Sequence, residues 1–244
     1  MGNLKIFYDA PADHQEFLKR IDGAHALLVG WALPVEVMTQ TPTLEILSFT
    51  GIGASNFIDL PAAAAQGITV CNCPGYADNT IAEHTLALLL AAARHVPQLD
   101  AELRDGRWNQ SLDGMELRGK QLGIIGFGGI GRRVFELARA FGMAVKVWTR
   151  NPSEARAREH GVEFVSLDKL LQTSDVVSLH VALTDDTQGL INAGRIKQMK
   201  PGALLINTAR GEIVDEAALV DALKERSEES RGGKERSSRL SRNL

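Results

Sequence analysis

Gly123-Ile124-Ile125-Gly126-Phe127-Gly128-Gly129-Ile130-Gly131-Arg132 decides the fold. Inside it lies G-x-G-x-x-G, at Gly126, Gly128 and Gly131. The string alone is common in glycine-rich chains. Here it follows the apolar run Gln121–Gly126 and opens an amphipathic segment, Gly131–Phe141, and that strand–turn–helix context gives it a mechanism. Gly126 permits a tight turn, Gly128 leaves room for a diphosphate, and Gly131 lets helix and strand pack closely. The N–H groups and positive helix end at Gly129 and Ile130 then face phosphate. A purely structural turn, a mononucleotide site and a methyl-donor site share the pattern.

Downstream of the turn, short apolar runs at Val145–Thr149, Val162–Val165, Val176–His180 and Ala203–Asn207 alternate with helical stretches around Leu167–Thr173, Asn192–Met199 and Ala217–Lys224. This alternation predicts a parallel α/β sheet with crossover helices, most of a doubly wound (Rossmann) sheet but not all of one. Upstream, Lys5–Tyr8, Ala26–Val29, Glu45–Phe49 and Ile68–Cys71 are strand candidates, and Ile58–Gln66 is an alanine-rich helix. Apolar positions at helical spacing run from Asn79 to about Arg107, long enough to span two lobes. The expected division is a flavodoxin-like substrate lobe at 1–100, a hinge near 95–118, and an incomplete dinucleotide-binding lobe at 101–224. Residues 225–244 hold four acids, six bases, five serines and only two apolar side chains, so no strand or amphipathic helix is expected there. A polar tail replacing a missing continuation, through truncation or a shifted reading frame, is the expectation.

Composition narrows the classes. Of 244 residues, 44% are hydrophobic and 23% charged, enough for a sizeable core. A net charge of −3 gives no field for a polyanion, which argues against nucleic acid. No run approaches the roughly 18–20 apolar residues of a membrane helix, and the charged first thirty residues resemble no secretory signal. Cys71 and Cys73 alone make neither a disulfide framework nor a zinc site, so a reducing, cytoplasmic setting is expected.

The second strand bears on cofactor choice. About 20 residues past the glycine turn, sites for NAD place an acid that binds the ribose 2′-hydroxyl. Thr149 and Arg150 stand there instead, a hydroxyl beside a guanidinium able to accept a 2′-phosphate. NADP(H) is therefore expected to be preferred, with NAD(H) possible.

Several further motifs, in order, make the chain resemble the D-isomer-specific 2-hydroxyacid dehydrogenases, the group that includes glyoxylate/hydroxypyruvate reductase and phosphoglycerate dehydrogenase. Thr50-Gly51-Ile52-Gly53-Ala54 looks like the family's substrate loop, in which the amides of Ile52 and Gly53 would hold a carboxylate. Thr80-Ile81-Ala82-Glu83-His84 matches a run that opens the long helix, with Thr80 a neighbour of the cofactor. His180-Val181-Ala182-Leu183-Thr184 is similar to His-x-Pro-Leu-Thr, with Ala182 in place of proline and a looser turn expected. His180 and Thr184 would lie beside the cofactor, His180 as a neighbour and not as the base. Asn207-Thr208-Ala209-Arg210-Gly211 resembles the segment whose arginine clamps the 2-oxo acid and polarises its carbonyl, with Thr208 and Ala209 against the cofactor.

The resemblance implies a reductase of small 2-oxo acids to D-2-hydroxy acids, with a homodimer for the intact parent. It also implies a histidine and a supporting carboxylate beyond Arg210. The six histidines are His14, His25, His84, His95, His160 and His180, and none follows Arg210. Low or absent turnover is therefore expected of this chain, since general acid–base help is worth roughly 10²–10⁴ in rate. The alternative is a non-catalytic, dinucleotide-responsive binding module of the corepressor kind.

Overall fold

A computed structural model describes residues 3–9 and 11–231. The backbone forms two compact units, Met1–Tyr76 and a second that begins at Ala77.

In the first unit, α1 (His14–Ile21), β1 (Ala26–Val29), α2 (Val35–Gln40), β2 (Ile46–Phe49), α3 (Leu60–Ala65) and β3 (Thr69–Cys71) alternate. The three strands are parallel in the order β1-β2-β3, with Ile46 paired to both Ala26 and Thr69. Local chemistry starts the helices where they start. The Asp13 and Asp59 carboxylates accept from the amides of Glu16 and Ala62, at 2.8 and 2.9 Å, capping α1 and α3. One sheet face carries Val29, Leu47 and Phe49 into a core with Val37, Met38, Ile58 and Ala63.

Lys5–Tyr8 forms no strand, against expectation, and Leu4, Ile6 and Tyr8 are exposed. The alternating pattern is there, but no neighbouring strand takes up the backbone groups, and β structure is stabilised across strands. Arg20 holds this segment instead, bonding the Asp9 carboxylate at 2.7 Å and Glu16 at 2.6 Å.

The second unit contains α4 (Asp78–Ala93), α5 (Val96–Arg104), β4 (Gln121–Ile125), α6 (Gly129–Ala140), β5 (Ala144–Trp148), α7 (Glu154–His160), β6 (Glu163–Phe164), α8 (Leu167–Thr173), β7 (Val176–Leu179), α9 (Ala193–Gln198), β8 (Leu204–Asn207) and α10 (Glu216–Arg231). Its five parallel strands run β6-β5-β4-β7-β8. Counted from β4, that is third-second-first-fourth-fifth, the dinucleotide-binding order as far as its fifth strand. Helices cover both faces. Leu86, Leu89, Val134 and Ala138 pack with Leu122 and Ile124 in one core, and Leu170, Ile196, Leu219 and Ala222 with Ile125 and Leu205 in the other.

Three expectations change. The boundary lies at Tyr76–Ala77 and not near residue 100, because Ala82, Leu86, Leu89 and Ala93 bind α4 into the second unit's core. The single helix expected from Asn79 to Arg107 is two, broken at His95, whose φ is 58°. The His95 ring Nε2 lies 3.1 Å from the Asp113 carbonyl, which fixes the break. The polar tail is helical through Arg231, since extending a formed helix needs no new nucleation and Glu and Arg are good helix formers. The remainder of the expected tail, 232–244, lies outside the described residues.

Candidate cofactor and substrate site

The glycine turn sorts its residues as their chemistry requires. The Gly126 amide donates to the Trp148 carbonyl at 2.8 Å, and its φ of +102° suits only glycine. A side chain there would strike the His180 carbonyl, and one at Gly131 would strike the Gly126 carbonyl. At Gly128 a side chain would meet nothing within 4 Å. Tight turn, close packing and open approach thus fall on three different glycines. The first main-chain bond of α6 runs from the Arg132 amide to the Gly128 carbonyl at 2.9 Å. Among the described residues the amides of Gly129 and Ile130, the orphan donors of a helix start, make no hydrogen bond, although the Asp78 carboxylate lies beside Gly129. Those donors and the open approach fit a diphosphate.

Arg156 of α7 braces this turn. It donates to the Phe127 carbonyl at 2.8 Å and to the Asn151 carbonyl at 3.0 Å, with its guanidinium 5.8 Å from the Phe127 ring centre. Sequence reasoning missed it, because an arginine on a polar helix carries no motif.

At the end of β5, Thr149 is half-buried and Arg150 exposed. Arg150 reaches the loop after β7, 3.0 Å from the Asp186 carboxylate and 3.4 Å from the Thr184 hydroxyl. Both partners of the ion pair are more than half exposed, so it holds Arg150 only weakly. The looser turn expected from Ala182 is not found. The Thr187 hydroxyl donates to the Ala182 carbonyl at 2.6 Å and accepts from the Thr184 amide at 2.8 Å, replacing proline's rigidity with two bonds.

His180 leaves β7 with its amide on the Ile125 carbonyl at 2.7 Å and its ring Nε2 2.8 Å from the Ser178 hydroxyl. Burial pushes its pKa down to about 4, because the charged imidazolium loses water without gaining a carboxylate. The ring is neutral at pH 7.

Asn207 shapes the loop that carries Arg210. Its side-chain Oδ1 accepts from the Ala209 amide at 3.0 Å and its side-chain Nδ2 donates to the Arg210 carbonyl at 2.8 Å. Thr85 of α4 donates to the Ile81 carbonyl at 2.8 Å, so the Thr208 hydroxyl, 3.0 Å away, is the donor of that pair. Arg210 is half-buried and donates to the Ala209 carbonyl at 2.8 Å. Thr80 is exposed on the first turn of α4.

In the first unit, Ile52 and Gly53 follow β2. The Ile52 carbonyl accepts from the Asn72 side chain at 2.7 Å, and the Gly51 carbonyl from the Cys73 amide at 3.0 Å. Among the described residues neither the Ile52 nor the Gly53 amide has a protein acceptor, a pair of donors suited to a carboxylate.

Within the second unit the structure therefore brings the glycine turn, Thr149–Arg150, His180–Thr184 and Thr208–Arg210 to the C-terminal ends of adjacent strands β4, β5, β7 and β8. That is where open α/β sheets bind ligands. Ile52 and Gly53 belong to the other unit. Among the described residues no cluster of three metal-ligating side chains occurs, and no helix is long and apolar enough to cross a membrane.

Comparison with known proteins agrees with this geometry. Residues 86–230 match the NAD-binding domain of the D-isomer specific 2-hydroxyacid dehydrogenases. The chain is 43% identical over 218 residues to D-3-phosphoglycerate dehydrogenase of Mycobacterium tuberculosis, covering 88% of this chain and 41% of that one. It is 41% identical over 239 residues to glyoxylate reductase of Aeropyrum pernix, covering 91% and 71%. An acyclic imino acid reductase solved with NADPH and D-Arg superposes with a TM-score of 0.81 at 32% identity, over 92% of this chain and 72% of that one. The chain thus spans about two fifths of the length of the phosphoglycerate dehydrogenases it matches.

Proposed function

The chain belongs to the D-isomer-specific 2-hydroxyacid dehydrogenases, and on that premise we propose that the protein carrying it reduces a small 2-oxo acid of the glyoxylate or hydroxypyruvate type. The observation that carries this reading is the placement of Arg210 at a strand end in the same unit as the glycine turn. The cofactor, when bound, supplies a hydride to the carbonyl carbon of the 2-oxo acid.

Gly129 and Ile130 offer amides to the diphosphate. Thr208, Ala209, Thr80, His180 and Thr184 would flank the cofactor. Arg210 offers parallel donors of fixed charge to the 2-oxo acid and draws electron density from its carbonyl. In the first unit the Ile52 and Gly53 amides are a pair of donors suited to a carboxylate. The proton that completes the alcohol needs a donor, and no histidine follows Arg210 in this sequence. His180 is neutral at pH 7 and orients by its bond to Ser178, so it is not that donor. Turnover by this chain is therefore slow.

NADP(H) is the preferred cofactor in this reading. Thr149 and Arg150 support it, since no acid stands where an NAD site places one, and the exposed Asp186 pair yields readily to a 2′-phosphate. The whole protein acts as a homodimer in the cytoplasm. Val96, Leu103 and Trp108, exposed apolar residues on and after α5, favour such a contact.

The test is NADPH oxidation with glyoxylate. Slow, glyoxylate-dependent oxidation that Arg210→Gln abolishes supports the reading. Oxidation untouched by that substitution contradicts it, and tighter binding of NADH than NADPH contradicts the cofactor preference.

A further inference from the structure

Asp78 is the first residue of α4, and its carboxylate lies against Gly129, the first residue of α6. A side chain on Gly129 would overlap the Asp78 carboxylate outright. The space beside the α6 start is thus taken by an acid from another helix. Asp78 is half-buried, and among the described residues it makes no hydrogen bond or ion pair. The α4–α6 contact has its own apolar source in Ala82, Leu86, Leu89, Val134, Phe135 and Ala138, so Asp78 is not needed to join the helices.

A negative charge at a helix start is favourable there, and a diphosphate seeks the same place for the same reason. A Cβ at Gly128 would meet nothing within 4 Å, while at the next residue, Gly129, the Asp78 carboxylate fills the space. Two anions sharing one positive helix end repel each other. We propose that Asp78 is an affinity-determining residue of the cofactor site, which weakens binding of the diphosphate and thereby favours cofactor exchange. The proposal rests on the reading of the glycine turn as the diphosphate site, and it concerns charge, not shape.

Like charges about 4 Å apart with water around them repel by about 1 kcal/mol, which is about fivefold in affinity, within a three- to tenfold range. Asp78→Asn keeps the shape and removes the charge, and Asp78→Ser serves if the asparagine variant folds poorly. Dissociation constants are measured for NADH, ADP-ribose and adenosine on the whole chain, alongside thermal melting. The expected result is three- to tenfold tighter binding of NADH and ADP-ribose by the variant, with adenosine, which has no phosphate, unchanged. The gain shrinks as salt rises. Equal or weaker NADH binding by a variant that melts like the parent overturns the proposal alone. So does an equal gain for adenosine, which points to a change of shape. Failure of both proteins to bind any of the three overturns this proposal together with the cofactor reading.

Discussion

The two units use the same material differently. Both are parallel sheets linked by helices, yet every residue of β7 is buried, while β1 and β2 bury one face and leave Ala26, Leu28 and Ile46 on the other exposed. A parallel sheet is ordinarily covered on both sides. The second unit meets that condition with α4 and α6 on one face and α8, α9 and α10 on the other. In the first, helices pack on one face only, and Leu28 at mid-strand stays 73% exposed. The second unit holds its turn between packed faces, with Gly126 and Gly131 close against main-chain carbonyls. The first presents the loop of Ile52 and Gly53 on a sheet with less behind it.

The largest expected effect separates the units at their glycines. Gly126→Val combines a forbidden φ with overlap on the rigid His180 carbonyl, and should cost the second unit about 4 kcal/mol or more. Gly67→Ala in the first unit shares a positive φ of +71° but meets nothing within 4 Å, and should cost about 1 kcal/mol. Denaturant melts of both variants check the pair, and similar losses would erase the contrast.

Core substitutions come next. Leu179→Ala removes a fully buried side chain from β7 and should cost about 3 kcal/mol. Leu28→Lys on the bare face should change stability by less than about 0.5 kcal/mol. A large loss from Leu28→Lys would mean that this face is covered.

The pH dependence should track the second unit. The folded pKa of His180 lies near 4, below the 6.5 of the unfolded chain, so the unfolded state binds the proton first as pH falls. Its share of stability is complete above about pH 7 and declines between pH 6.5 and 4. The expected loss is about 2 kcal/mol on going from pH 7.5 to 5. His180→Asn should remove that part of the slope, and an unchanged slope would show that the imidazole is not the group responsible.

Much of this was legible beforehand. Gly126, Gly128 and Gly131 announced the strand–turn–helix, since each has a separate physical task, and the central strands β4, β7 and β8 are mostly apolar, which suits burial on both faces. Lys5–Tyr8 misled because alternation describes a strand's face and says nothing of its neighbour. Residues 225–231 misled in the opposite way, for a polar segment with no apolar stripe can still prolong a helix already formed. Asp78, Thr85 and Arg156 could not be read at all. Their roles depend on contacts across 51, 123 and 29 residues of sequence, with Gly129, Thr208 and Phe127, and no local pattern records such meetings.

The central claim, that a nicotinamide dinucleotide rests its diphosphate on the turn at the start of α6, is tested most directly by calorimetry on Gly128→Val. A Cβ at Gly128 meets nothing within 4 Å, so the variant should melt close to the parent. The account predicts saturable NADPH binding by the parent and its loss in the variant, because the valine fills the approach to the Gly129 and Ile130 amides. Undiminished NADPH binding by a well-folded Gly128→Val protein would contradict it.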